Sequence, residues 1–158
     1  MKKIVFGAIA IAAVLVFAGY ASDSIPSLDT SDSLTGIDAN ANGIRDDIEA
    51  YIEKTYTDEK QRKAVMQFAR SMQETLLVDM TNKEAARKIA KEVQKRDSIA
   101  MDCIFLAFDV SKGDENPSKT WRKVRSMTTN TKARLKAHLA FNQALNGTVL
   151  YSGSGDCD

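Results

Sequence analysis

From residue 44 onward, apolar residues recur every three or four positions along the chain. This spacing places them on one face of an α-helix, whereas the alternation typical of a half-buried strand is missing over any useful length. Charged residues fill the other positions, as expected of amphipathic helices that pack through one face. The sequence therefore predicts an all-α fold, a small helical bundle of about five helices with an irregular N-terminal arm and C-terminal tail.

The bounds of these helices follow from the apolar stripes and from the capping residues between them. A capping box predicts that the third helix starts at Thr81. Its second half, residues 99–110, is apolar almost all round and is predicted to be the central buried helix. The predicted segments are Asp46–Tyr56, a helix that begins after Thr57, the third helix through Val110, Ser118–Met127 and a last helix that ends near Leu145.

The first 21 residues are typical of a secretory signal peptide. Lys2 and Lys3 precede an apolar run over residues 4–18, and Gly19 and Ala21 occupy the two positions where the peptidase accepts small side chains. We expect cleavage near Ala21 and a periplasmic or secreted location, because short leaders of this kind are typical of bacteria. The alternative is a leader that is not cleaved and anchors the protein, since its apolar stretch is about long enough to span a bilayer.

The 137 residues after the leader suit a single domain. Residues 22–37 are rich in Ser, Asp and Thr and are predicted to form a flexible lead-in, followed by one helical domain over residues 38–158. Residues 22–59 carry ten acidic and two basic side chains, whereas residues 60–158 carry 18 basic and 11 acidic ones. The two parts should attract each other, or each should face a partner of opposite charge.

Cys103 and Cys157 are the two cysteines of the chain. In an oxidising compartment an even pair is expected to be bonded. Such a bridge would fasten the C-terminal tail to the middle of the third helix. The alternative is two separate thiols, and the CxxC spacing of redox and metal sites is absent from the sequence.

The stretch from Asp38 to Glu49 carries oxygen-bearing side chains at alternate positions around one glycine. Calcium takes six to eight oxygen ligands at flexible geometry, and Gly43 falls where such a loop must turn sharply. The alternative is an Asx-rich turn that only caps the first helix. The expected ligands, at loop positions 1, 3, 5, 7, 9 and 12, are Asp38, Asn40, Asn42, the main-chain carbonyl of Ile44, Asp46 and Glu49.

These twelve residues resemble the calcium loops of EF-hands and, more closely, the extracellular D-x-D-x-D-G loops of dockerins and thrombospondin type-3 repeats. The resemblance covers residues 38–49 only. Arg45 stands at a position that is apolar in paired EF-hands, and residues 34–37 do not form an entering helix. The resemblance implies a solitary loop with a structural calcium ion, and the two asparagines imply weak affinity suited to extracellular calcium.

A basic stretch lies between Asn116 and Gly155, where there are seven basic residues and no acidic ones. Part of it surrounds a tryptophan and could bind an anionic polymer or an anionic membrane surface, with the indole stacking or anchoring. No nucleic-acid motif supports a nucleic-acid partner, and the alternative is a solvated face that pairs with the acidic N-terminal part. The candidate anion-binding residues are Lys119, Trp121, Arg122, Lys123 and Arg125.

No catalytic constellation is evident in the sequence. His138, the only histidine, lacks the motif partners of a catalytic or metal-binding histidine and is expected at the boundary of the last helix. Asp97, Asp102 and Asp109 follow each other at spacings that do not indicate a carboxylate pair. The sequence therefore predicts an exported, calcium-stabilised helical module with a structural or macromolecule-binding role. The alternatives are a binder of anionic polymer or membrane surface through residues 119–136, and a hydrolytic enzyme.

Overall fold

The computed structural model describes residues 27–148 and 155–158. In these residues the chain forms five α-helices, one 3-10 turn (Val110–Lys112) and no strand, which confirms the predicted all-α bundle. The predicted signal peptide lies outside the described residues, and no helix within them is long and apolar enough to cross a membrane. The helices are α1 (Asp46–Thr55), α2 (Glu59–Leu76), α3 (Lys83–Ala107), α4 (Pro117–Thr128) and α5 (Lys132–Leu145).

The caps that begin α2 and α3 lie one residue later than the sequence predicts. Asp58, not Thr57, caps α2, and Asn82, not Thr81, caps α3. Each accepts hydrogen bonds from main-chain amides of the first helical turn at 2.9 to 3.1 Å. The difference follows the usual preference at this position, where aspartate and asparagine are better caps than threonine.

The central helix is α2, which packs against each of the other four helices. The prediction that residues 99–110 form the central buried helix was wrong. Cys103 and Ile104 are buried, but Phe105, Leu106 and Val110 are 47%, 70% and 56% exposed. The reason is that the end of α3 lies on the outside of the bundle and packs through a single face, although its sequence is apolar on several faces.

Two apolar clusters make up the core. The larger one joins side chains of α1, α2 and α4 to the C-terminal half of α3. The smaller one joins the N-terminal half of α3 to α5 through Ala90, Val93, Phe141 and Leu145. Because both clusters involve α3, this long helix connects the two halves of the bundle.

Candidate functional site

Residues 38–49 form a loop that is closed by hydrogen bonds between its own residues. The two carboxylate oxygens of Asp38 accept hydrogen bonds from the main-chain amides of Asn42 and Gly43 at 3.1 and 2.9 Å. Gly43 has φ +82°, a left-handed conformation that glycine adopts without steric cost. Asp38 and Gly43 therefore close a tight turn at the start of the stretch.

The last acidic side chain of the loop turns back over it. The carboxylate of Glu49 accepts hydrogen bonds from the side-chain amides of Asn40 and Asn42, at 2.9 and 2.5 Å. Three of the six predicted ligands therefore meet at one point. The side-chain oxygens of Asn40 and Asn42 accept hydrogen bonds from the main-chain amides of Asn42 and Ile44 at 3.1 and 2.8 Å. To turn these oxygens toward Glu49, both amide groups would have to give up those bonds.

The other predicted ligands hold the main chain of the loop. Asp46 accepts a hydrogen bond from the amide of Ala39 at 3.0 Å. The amide of Ile44 donates to the side-chain oxygen of Asn42 at 2.8 Å, and the side chain of Ile44 is buried in the core. This anchor fixes where the carbonyl of Ile44 lies relative to the rest of the loop.

The carboxylates alone do not make a metal centre. Within residues 27–148 and 155–158, no three side chains drawn from histidine, cysteine, aspartate and glutamate converge closely enough to hold a metal ion. Three of the six predicted ligands are of other kinds, namely the side-chain amides of Asn40 and Asn42 and the carbonyl of Ile44. These oxygens are of kinds that calcium accepts as ligands, but in the structure the side-chain nitrogens of Asn40 and Asn42 face Glu49.

Arg45, the residue that departs from the EF-hand pattern, turns away from the loop into the core, and its side chain is 0% exposed. Its guanidinium donates to the two carboxylate oxygens of Asp47 at 2.6 and 2.9 Å. It also donates to the carbonyl of Met127 at the end of α4, at 3.1 Å. The departure is therefore explained by packing, since Arg45 fastens the loop and the start of α1 to α4.

A second buried arginine holds the lead-in. Arg134 of α5 donates to the carboxylate of Asp29 at 3.1 Å and to the carbonyl of Ser33 at 2.9 Å. The amide of Asp29 in turn donates to Asp47 at 2.6 Å. The prediction of a flexible lead-in did not anticipate these contacts, which tie residues 29–33 to α1 and α5. In the case of Arg134, the basic stretch does pair with the acidic N-terminal part.

The candidate anion-binding residues lie together on α4. Lys119, Arg122, Lys123 and Arg125 are exposed, and in the described part of the chain none of them forms an ion pair with an acidic side chain. The guanidinium carbons of Arg122 and Arg125 lie 5.3 and 5.9 Å from the centroid of the Trp121 ring. These cation–π contacts hold two of the four cations against the indole.

Cys103 and Cys157 form a disulfide with a Cα–Cα distance of 5.6 Å, which confirms the predicted bridge. Residues 155–158 lie across α3 and α2. The main chain at Gly155 is so close to Ile99 that a Cβ there would meet the isoleucine side chain at 2.5 Å. The disulfide therefore fixes a tail that packs closely on the bundle.

Arg70 of α2 connects this tail with the predicted calcium loop. Its guanidinium donates to the carboxylate of Asp158 at 2.9 Å and to the main-chain carbonyl of Asn42 at 3.1 Å. Gln67, one turn earlier, donates to the carbonyl of Asp156 at 3.1 Å. The end of the chain and the loop thus share one partner on α2.

A cavity of about 240 Å³ between α2, α3, α4 and α5 was missed by the sequence analysis. Asp97 and His138 both line it. His138 was expected at the boundary of the last helix, but it is 6% exposed, and its ring stacks on Phe141 with centroids 6.2 Å apart. A signal was present in the sequence, because Arg134, His138, Phe141 and Leu145 follow the spacing of a buried helical stripe and two of them are polar.

Residues 38–49 are not followed by a second stretch of the same pattern in the sequence. Comparison with protein-family models, with curated proteins and with solved structures gives no match for this chain.

Proposed function

We propose that this chain is an exported helical module, stabilised by a calcium ion in the loop at residues 38–49, with a structural or macromolecule-binding role. The observation that carries the proposal is the return of Glu49 over the loop to Asn40 and Asn42. A loop that only caps a helix needs one acceptor at the start of that helix. The N-cap of α1 is Arg45, which makes no side-chain capping bond. Capping of α1 therefore does not account for the alternating oxygens, which bond within the loop and are of the kind that a calcium ion would take as ligands.

Calcium would have a structural role in this loop. Asp46 and Glu49 lie in the first turn of α1 and Asp38 at the start of the loop, so a divalent ion reduces the repulsion among three carboxylates. The loop leads into Arg45 and Asp47, which fasten α1 to α4 and to the lead-in. The ion would therefore stabilise the junction through which the acidic N-terminal part joins the bundle.

Two features support export. The leader over residues 1–21 has the organisation of a signal peptide. The disulfide between Cys103 and Cys157 is of a kind that persists in oxidising compartments such as the periplasm and the extracellular space. Calcium in such compartments is plentiful enough for a loop with two asparagine ligands and correspondingly weak affinity.

We expect calcium to raise the melting temperature of the purified oxidised protein. With a dissociation constant of about 0.1 to 1 mM, typical of extracellular modules, about 10 mM calcium stabilises the fold by roughly 1.4 to 2.7 kcal/mol. This corresponds to a rise of about 5 to 10 °C for a domain of this size. Glu49→Gln and Asp38→Ala should abolish the rise, because each removes a charged ligand. Thermal melts with calcium and with chelator measure the rise in melting temperature. Calorimetric titration measures the dissociation constant.

Glu53→Gln is the matched control, since Glu53 is exposed one turn later on α1 and is not a predicted ligand. It should keep the calcium response. Magnesium should give a smaller rise, because it requires near-octahedral geometry and gives up its water reluctantly. If the native protein shows neither heat of binding nor stabilisation at about 10 mM calcium, a concentration well above the expected dissociation constant, the loop serves only as an entrance to α1.

A second candidate function is the binding of an anionic polymer or membrane surface through α4. The supporting observation is that Lys119, Arg122, Lys123 and Arg125 are exposed and not paired with acidic side chains of the described residues. Trp121, half-buried among them, offers a surface for stacking or for insertion at a membrane interface. This role is compatible with a calcium-stabilised fold, because the two regions use different residues.

Neutralising all four α4 cations to glutamine should weaken the retention of the protein on heparin and make it less sensitive to salt. The dependence of log affinity on log salt concentration should become shallower by about 3, since each neutralised contact releases close to one counterion. The control neutralises Lys83, Arg87, Lys88 and Lys95, which are four exposed cations of α3. Equal losses in the two variants would show that net charge alone, rather than the α4 face, causes the retention.

A further inference from the structure

The cavity between α2, α3, α4 and α5 has charges of both signs in its walls. Asp97 of α3 and Arg125 of α4 line it, together with the polar side chains of Gln94, His138 and Asn142. Burial and, to a smaller degree, the charge of Arg125 lower the pKa of His138, so its ring is neutral near pH 7. The walls therefore carry one anionic and one cationic side chain.

The carboxylate of Asp97 receives few hydrogen bonds for an ionised group that is partly buried. The hydroxyl of Ser71 lies 2.9 Å from one carboxylate oxygen, but it lies equally close to the carbonyl of Phe68 and has a single hydrogen to donate. The second oxygen has no hydrogen-bond partner in the described part of the chain, and it is not among the fully enclosed atoms there. Burial raises the pKa of this carboxyl to about 6, as expected where no cation compensates its charge.

Arg125 lines the same space but does not pair with Asp97. Within the residues that the structure describes, its guanidinium forms no ion pair and no hydrogen bond, and its central carbon lies 5.9 Å from the centroid of the Trp121 ring. Its charge nevertheless acts on Asp97, where it opposes part of the effect of burial on the pKa. The guanidinium and the carboxylate are thus too far apart for a direct ion pair and close enough to interact across the cavity.

A ligand with a single charge does not suit these walls. Arg125 would repel a cation that pairs with Asp97, and Asp97 would repel an anion that pairs with Arg125, whereas a zwitterion satisfies both. The volume is about 240 Å³. An engineered cavity of about 150 Å³ admits benzene and pockets for drug-sized ligands begin at about 300 Å³, so the space fits one amino acid rather than a peptide. The remaining walls suit an apolar side chain, since they are Phe68, Met72, Met101, Trp121 and Phe141.

We infer that this cavity binds a free α-amino acid with an apolar side chain, with its ammonium group at Asp97 and its carboxylate at Arg125. The ammonium group supplies the donors that the carboxylate of Asp97 lacks, and a guanidinium is well suited to hold a carboxylate through two hydrogen bonds. The inference does not depend on calcium, because no residue of the loop lines the cavity. It is also independent of polymer binding by α4, since it requires only Arg125 of that face.

Leucine and two of its analogues test this inference. L-Leucine titrated into the native oxidised protein should bind, as measured by calorimetry and by the fluorescence of Trp121, the only tryptophan and a wall of the cavity. Isoamylamine has the same side chain without the carboxylate, and isocaproate has it without the ammonium group. Each analogue should bind about tenfold more weakly than leucine or worse, because it leaves one charged wall without a partner.

Two variants exchange the preferences of the cavity. In Asp97→Asn, leucine should lose about tenfold or more in affinity and isocaproate should not, because the variant also removes a repelling charge. In Arg125→Gln, leucine should again lose affinity and isoamylamine should not. Arg122→Gln is the matched control, since Arg122 also contacts the Trp121 ring, at 5.3 Å, but does not line the cavity. It should keep the affinity for leucine. If Asp97→Asn does not fold, the exposed Arg125→Gln and the titration of the native protein decide.

Three outcomes would overturn the inference. The first is the absence of leucine binding up to its solubility limit, which would leave the cavity to water. The second is equal affinity for leucine, isoamylamine and isocaproate, which would mean that the apolar walls alone bind the side chain. The third is an equal loss of leucine affinity in Arg122→Gln and Arg125→Gln, which would mean that the charge of α4, and not the cavity, attracts the ligand.

Discussion

Replacing Asp47 by alanine is expected to lower the free energy of unfolding by about 3 to 5 kcal/mol. The reason is the guanidinium of Arg45, whose side chain is 0% exposed and which would be left buried without its anion. The substitution also removes the acceptor for the amide of Asp29, at 2.6 Å. Urea unfolding of the native and variant proteins, followed by far-ultraviolet circular dichroism, measures the difference.

A double variant separates the loss of the carboxylate from the cost of the stranded charge. Arg45→Met combined with Asp47→Leu should cost clearly less than the sum of the single variants, since apolar residues of similar size often replace a buried ion pair with little loss. Glu53→Ala, at an exposed position of the same helix, should change stability by less than about 0.5 kcal/mol. A loss below about 1 kcal/mol in Asp47→Ala would mean that Arg45 reaches water.

The loss of unfolding free energy in Asp47→Ala should be smaller at acidic pH than at neutral pH. Burial alone would raise the pKa of Asp47, but the hydrogen bonds from Arg45 and from the amide of Asp29 lower it below its ordinary value. A carboxyl with a lowered pKa stabilises the fold above its unfolded-state pKa, and this stabilisation is lost as the pH falls through the folded-state pKa. The difference between native and variant should therefore be complete at neutral pH and shrink below about pH 4.

The helices could be predicted from the sequence because their signals are local. Apolar spacing and capping residues act within one or two turns, and the structure places α1, α4 and α5 within one or two residues of their predicted bounds. The interpretation of residues 99–110 failed for a related reason. Apolar residues around a helix indicate that it can be buried. Which of its faces are covered depends on the neighbouring elements, and Phe105 and Leu106 remain 47% and 70% exposed.

The candidate sites also divide into features set by local sequence and features set by contacts between distant parts of the chain. The predicted calcium ligands lie within twelve residues, so their spacing can be read from the sequence. Arg45 contacts a residue 82 positions away, and Arg134 contacts one 105 positions away. No local pattern tells buried Arg45 from the exposed arginines on α4, whereas Arg134 at least lies on the buried stripe of α5. The cavity likewise depends on α3 and α5 packing on α2, which brings Asp97 and His138 to the same space.

Removing the disulfide is expected to lower the free energy of unfolding by about 4 kcal/mol. The bridge joins residues 54 positions apart, and cutting it releases this constraint from the unfolded chain. The variant is Cys103→Ala with Cys157→Ala, which avoids burying a hydroxyl at Cys103, a position that is 2% exposed. Urea unfolding measures the loss, and the native protein under reducing conditions should match the variant.

The position of the tail makes a second readout available for the same variant. Residues 155–158 contact Ile99, Gln67 and Arg70, so their release should expose this part of α2 and α3 to hydrogen exchange. Because Arg70 also holds the carbonyl of Asn42, the exchange of loop amides should rise as well. Exchange in α5 should change only through global stability, because residues 155–158 contact α2 and α3. If stability falls by less than about 1 kcal/mol and exchange at α2 is unchanged, the tail is held by its own packing and the bridge adds little to it.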